Sequence, residues 1–331
     1  MKSFRKNIIL LILICIIVLY FVLKDDFNGI VELLINSNKL YILIAIGFML
    51  ISDIFKGVSV SRLVKASGYT YSVKNGFLLM LMTNFFNGIT PFSLGGQPFE
   101  LYILKKDSNV DYITGSNVLF KDFYTYQMAL MFLSTLCIIL TYSLHLFVLS
   151  SIAEKILWFG FIINIGITLV LIYIPHSKKS KYKVINSVIR FFGKIGIIKN
   201  KDKVIEKVDG AINKFKKQTN EVIKEPKVII GCILLNCFKL IMVCISAYFC
   251  FRAISSAVPL FETIIISILI MIMASFVPIP GASGGMEFSF FQLFSYFVID
   301  AKLGAAMLMW RFVTYYLPMI YGSIIFVFKR K

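Results

Sequence analysis

Histidine is nearly missing from this chain: only His145 and His176 occur in 331 residues. Neither stands at metal-ligand spacing from a cysteine, so no zinc or other metal site is expected. The six cysteines (Cys15, Cys137, Cys232, Cys237, Cys244 and Cys250) all fall inside apolar runs, which points to packing rather than a disulfide framework. A glycine-rich nucleotide-binding loop is also lacking, which argues against direct ATP-driven pumping, and no cofactor is expected. The first apolar stretch, Ile8–Leu23, follows Lys2, Arg5 and Lys6 as a secretory signal would, but Lys24-Asp25-Asp26 stands where a small-residue cleavage site belongs. It is therefore expected to be a retained first helix.

What the chain has in excess is apolar surface. Hydrophobic residues make up 58%, with 32 phenylalanines, and the mean hydropathy is +0.83. One soluble core of this size does not hide that much apolar side chain. Uncharged runs long enough to cross about 30 Å of hydrocarbon recur along the chain. The fold class expected is an all-α polytopic membrane protein.

Acidic residues are scarce beside basic ones, 17 against 35, for a net charge of +18. The location of that charge decides its meaning. Between His176 and Lys227 lie 15 Lys/Arg and 5 Asp/Glu, which places +10 in one polar segment. No RNA-binding motif accompanies it, so no nucleic-acid partner is expected. It reads as a cytoplasmic loop under the positive-inside bias, lying on anionic headgroups, with an interfacial helix in Val184–Ile198.

Charge-free runs predict helices near 7–23, 39–62, 73–90, 112–142, 150–174, 228–251, 261–278, 286–299 and 303–328. Taking the N-terminus, the 176–227 loop and the Lys329-Arg330-Lys331 tail as cytoplasmic fixes the direction of each. Helix one then ends outside near Asp25–Lys39. Helix 112–142 leaves the cytoplasm, so segment 75–104 enters and leaves by the cytoplasmic face. Its return arm after Pro98 is only about eight residues, too short to cross the core at 1.5 Å per residue. By the same parity, segment 261–299 starts and ends outside. The expected architecture is therefore six to seven spanning helices plus two re-entrant hairpins in one membrane domain, 1–331. Its first repeat covers about 39–175 and its second about 228–328, on either side of the basic loop 176–227.

The two hairpin turns resemble each other. One reads Thr90-Pro91-Phe92-Ser93-Leu94-Gly95-Gly96-Gln97, the other Ile279-Pro280-Gly281-Ala282-Ser283-Gly284-Gly285-Met286. Each is soon followed by a glutamate, Glu100 and Glu287. Gly96 precedes Lys121 by 25 residues, and Gly285 precedes Arg311 by 26. Matched motifs with opposite parity are the pattern of an inverted-topology repeat whose broken helices meet near the midplane. Glycine pairs leave backbone amides unobstructed at the positive end of a half-helix, where an anion such as a phosphate binds. The alternative for the glycines is close helix crossing.

Ionisable residues inside apolar runs add to the candidate set, since such positions are unfavourable for a charge. Lys239 sits mid-span, Glu287 lies between long uncharged runs, and Arg311 is about two turns into the last helix. An internal ion-pair network is the competing reading for these three. Asp53 and Lys56, one turn apart, are expected to pair with each other. Lys121 and Asp122 adjoin the cytoplasmic boundary, so a solvated position is the alternative for them. The candidate substrate-binding residues are Asn87, Pro91, Gly95, Gly96, Gln97, Glu100, Lys121, Asp122, Lys239, Pro280, Gly281, Gly284, Gly285, Glu287, Arg311 and Tyr315. No residue is assigned a catalytic role.

At these residues the chain resembles the lysylphosphatidylglycerol synthase transmembrane-region family, also called flippase-like. The resemblance is carried by Asn84–Leu104, Val118–Gln127, Pro278–Phe288 and Ala305–Gly322. It implies a bacterial inner-membrane protein that handles lipids; in larger relatives this region is thought to move an aminoacylated phospholipid across the bilayer. Those relatives also resemble a fusion with a cytoplasmic aminoacyltransferase-like domain that uses charged tRNA. Here Lys331 follows the last helix by three residues and the 176–227 loop is too short for that domain. Lipid transport is accordingly expected rather than catalysis, with membrane lipids of anionic headgroup (phospholipid or polyprenyl phosphate) as partners. Two alternatives stand beside it: a phosphatidylglycerol lysyltransferase, and a non-transporting scaffold that recruits a lipid-modifying synthase. The sequence fixes no oligomeric state, and a homo-oligomer is compatible with it.

Overall fold

A computed structural model describes residues 27–90, 95–176 and 226–330. The expected first helix, Pro91 and its three followers, the basic segment 177–225 with its interfacial helix, and Cys15 lie outside the described residues. The described chain forms α1 (Phe27–Ile35), α2 (Lys39–Ala66), α3 (Val73–Gly88), α4 (Gly96–Ser108), α5 (Tyr112–Ser143), α6 (Ser151–His176), α7 (Pro226–Ala253), α8 (Leu260–Ala274), α9 (Gly285–Phe294), α10 (Asp300–Arg311) and α11 (Leu317–Arg330). A 3-10 turn at Pro280–Ala282 precedes α9, and a π-helical segment at Phe312–Tyr316 joins α10 to α11.

Helix ends follow local chemistry. Ser72 accepts a hydrogen bond from the Asn75 amide, and Asp111 accepts from those of Ile113 and Thr114, so polar side chains satisfy the first free donors of α3 and α5. Pro226 opens α7, where its missing N–H removes no helical bond. Asn109 closes α4 in the left-handed region at φ 52°. One element was not anticipated. The segment 25–39, expected as an outer connection, contains α1, whose last carbonyls accept from Lys39 Nζ at 2.9 and 3.3 Å.

Among the described residues, five helical stretches are long and apolar enough to cross a membrane: 39–66, 112–143, 151–172, 226–253 and 301–329; Leu260–Ala274 is a shorter apolar helix. The chain is thus a multi-pass membrane protein. α2 and α7 form the most extensive helix pair in the bundle. Around them the halves echo each other. The starts of α2 and α7 (39 and 226), α3 and α8 (73 and 260), α4 and α9 (96 and 285) and α5 and α10 (112 and 300) keep a spacing of 187 to 189 residues. α3 and α4 form one hairpin, α8 and α9 the other. Each packs across the molecule as well, α8 on α5 and α3 on α11.

Each hairpin has its own apolar core. Phe99, Ile103 and Leu104 of α4 join Leu79, Val60 and Val118. On the other side Phe290 stacks on Phe251 and Trp310, with centroids 5.7 and 5.1 Å apart. Glycines allow the closest crossings. A Cβ at Gly76 would overlap the Gly57 carbonyl where α2 meets α3, and one at Gly160 would overlap the Ile272 carbonyl where α6 meets α8. The five described cysteines are free and buried, as packing residues are.

Candidate functional site

The second turn is built around Arg311. Gly281 (φ 63°) and Gly284 (φ 86°) take left-handed conformations that a side chain disfavours, and these fold Pro280–Gly284 back toward the end of α10. Arg311 Nη2 donates to the Gly281 carbonyl at 3.1 Å and to Ser283 Oγ at 3.0 Å. Its Nε lies 2.8 Å from Glu287 Oε1, with both side chains buried. The other carboxylate oxygen accepts the Gly284 amide at 2.6 Å. The donors expected to hold an anion, a tip amide and the guanidinium, therefore meet Glu287. The pairing expected as an alternative for these residues is present.

The two turns meet through Tyr315. The 3-10 turn packs on α3, and the Tyr315 hydroxyl donates to the Gly88 carbonyl at 2.7 Å. The Tyr315 ring lies against Gly281, where a Cβ would overlap it, and the Arg311 guanidinium sits 4.4 Å from its centroid. Tyr315 belongs to the π segment, in which the Leu317 amide reaches back to the Phe312 carbonyl. Such wide turns recur at functional sites.

At the first turn the glycine amides are engaged too. Gly95 donates to Thr90 Oγ1 at 2.8 Å and Gly96 to Asn87 Oδ1 at 3.0 Å. Gln97 is half-buried at the start of α4, and Glu100 one turn on is buried beside Thr83.

Glu100 faces a second cluster, at the middle of the bundle. Lys56 Nζ lies 2.7 and 2.6 Å from the two Asp122 carboxylate oxygens. Asp53 accepts from Asn84 Nδ2 at 3.1 Å and from the Tyr321 hydroxyl at 2.7 Å. Asp53 and Lys56, one turn apart on α2, thus take their partners from other helices instead of from each other. Lys239 lies over the Tyr126 ring at 4.7 Å, and Lys56 approaches the same ring at 5.6 Å. Lys239 is in electrostatic reach of Lys56, Asp53, Asp122 and Glu100. It sits halfway along α7, deep in the bundle, yet keeps accessible surface. Lys121 and Asp122 are buried, at 1% and 7% exposure, so a solvated boundary position does not describe them.

Of the expected set, the structure brings Pro280, Gly281, Gly284, Gly285, Glu287, Arg311 and Tyr315 to one tip. Asn87, Gly95 and Gly96 hold the other, and Glu100, Asp122 and Lys239 meet in the central cluster. Sequence reasoning missed Asn84, Tyr126 and Tyr321; polar side chains inside spanning segments were the available signal.

Residues 8–322 match the family described as the lysylphosphatidylglycerol synthase transmembrane region. The chain belongs to this family. It is also similar to a UPF0104 membrane protein of Methanocaldococcus jannaschii, with 25% identity over 332 residues, covering 98% of this chain and 96% of that protein. The family match spans both hairpins, both tips and the central cluster.

Proposed function

We propose that the protein moves lipids between the leaflets of a cell membrane, binding an anionic headgroup near the midplane where the two hairpins converge. The observation that carries this reading is Lys239, a cation halfway along a membrane-spanning helix, over an aromatic ring and beside three carboxylates, with surface still accessible. A charge held there without a purpose is disfavoured, and intramembrane ionisable groups mark substrate paths. Lys239 and Lys56 supply the positive charge for a phosphate, while Asp53, Glu100 and Asp122 suit the amino groups of an aminoacylated headgroup. The helix breaks at both tips fit the same reading, since irregular backbone at membrane depth lines a cavity or is buried in protein. In this reading the hairpins are re-entrant, dipping from opposite faces. Arg311 and Glu287 hold the second tip closed against Tyr315 and exchange partners when a headgroup arrives.

Reconstitution in liposomes with reporter-labelled lipids of several headgroups tests it. The parent protein exchanges anionic lipids between leaflets, and Arg311→Ala and Glu287→Gln, which each remove one member of the pair proposed to exchange partners with the headgroup, lower the rate by about tenfold or more. Absence of exchange for every lipid, with the protein folded, would refute the proposal.

A further inference from the structure

Away from the tips, α3, α4 and α11 enclose a pocket of about 380 Å³ at one end of the bundle. Its wall is apolar: Met82, Phe99, Ile103 and Phe326. The wall is firmly built, because Phe99 stacks on Phe86 at 4.1 Å and meets Phe326 edge-on at 5.6 Å. Tyr102 flanks it, 53% exposed. The mouth is polar and carries Lys106, Asp107 and Lys329. Asp107 pairs with Lys329, so the three residues together leave the mouth with one net positive charge.

The heights of wall and mouth correspond. Lys105 and Lys106 occupy the last turn of α4 directly after an apolar turn, and Lys329 follows the apolar run Ile324–Phe328 of α11. Where apolar turns end in lysines on neighbouring helices, the boundary between hydrocarbon and headgroups lies at the lysines. The pocket volume falls in the range of small-ligand sites, about 300–1,000 Å³. A free anion has no use for the aromatic wall, and an uncharged apolar molecule has none for the mouth. The two parts together match an amphiphile with a negative head.

We propose that this groove binds one anionic phospholipid, an acyl chain against Phe99 and Phe326 and its phosphate between Lys106 and Lys329. It rests on the proposed lipid-handling function but shares no side chain with the tip or the central cluster. The groove backs onto α4, the helix that carries Gly96 and Glu100, so its occupant waits one helix away from the central charges.

Native mass spectrometry of the full chain, released from micelles containing phosphatidylglycerol or phosphatidylcholine of equal chains, reads the occupancy. The parent retains phosphatidylglycerol in preference. Lys106→Gln with Lys329→Gln turns the mouth from net positive to net negative and lowers that retention by about tenfold. Asp107→Asn raises it. These residues are at the surface, so the variants fold. Unchanged retention in the double variant would overturn the proposal. So would retention of labelled inorganic phosphate as strong as that of the lipid, which marks a simple anion site. Leaflet exchange by Lys239→Gln separates the two claims. If exchange persists in that variant while the groove variants lose lipid, the central site fails and the groove stands. If exchange stops while the groove variants bind as the parent does, the groove fails and the central site stands.

Discussion

Arg311 meets four partners inside the bundle: Glu287, the Gly281 carbonyl, Ser283 and the face of Tyr315. A guanidinium is suited to this, because its planar fork bonds in several directions while its face stacks on a ring. Lysine at the same position has one ammonium point and no face to stack. The residue that passes this arrangement to the other hairpin is Tyr315, through one hydrogen bond to Gly88. Tyr315→Phe keeps the ring against Gly281 and removes the hydroxyl that makes that bond. A loss of about 1 kcal/mol is expected, the net worth of one buried hydrogen bond. Thermal unfolding in detergent checks it: a lower midpoint than the parent supports the tip-to-tip bond, and an unchanged midpoint contradicts it.

Single elements show how the chain affords a break at membrane depth. The second tip needs Gly281 at φ 63° with the Tyr315 ring where a Cβ would stand. Gly281→Ala therefore meets both a disfavoured backbone and a clash, and is expected to destabilise by about 1–3 kcal/mol. Gly47, within α2, has open space around its missing Cβ. Gly47→Ala is expected to be neutral or stabilising, since alanine is the better helix former. Unfolding of the two variants side by side checks the pair, and equal stability would contradict it. These turns were readable from sequence, since proline and paired glycines interrupting an apolar run have few other meanings. The spans were readable too, because long uncharged stretches set α2, α5, α6 and α7 within a few residues. The pairing inside them was not. Lys56 and Asp53 are neighbours on one helix, and nothing local says that Asp122, Asn84 and Tyr321 will arrive from three other helices. The helix α1 escaped notice because it is short and ends among polar residues that read as a connection.

For the whole molecule, the central pair α2 and α7, the near-constant spacing of the two halves and the crosswise packing of α3 on α11 and α8 on α5 describe two related units exchanging contacts. An inverted arrangement of those units makes a definite topological prediction. Cysteines placed at Ser108, the last residue of the first hairpin, and at Ser295, just after the second, react with a membrane-impermeant maleimide from opposite faces. The native described cysteines are buried and give little background. Labelling of both from one face would contradict the inverted topology.

The proposal as a whole depends on the cation at the middle of α7. Leaflet exchange of a labelled anionic lipid, in liposomes holding the parent or Lys239→Gln at equal density, tests it most directly. The glutamine retains length and polarity without charge, so the account predicts that exchange falls by about tenfold or more while the protein stays folded. Exchange at the parental rate in Lys239→Gln would contradict it.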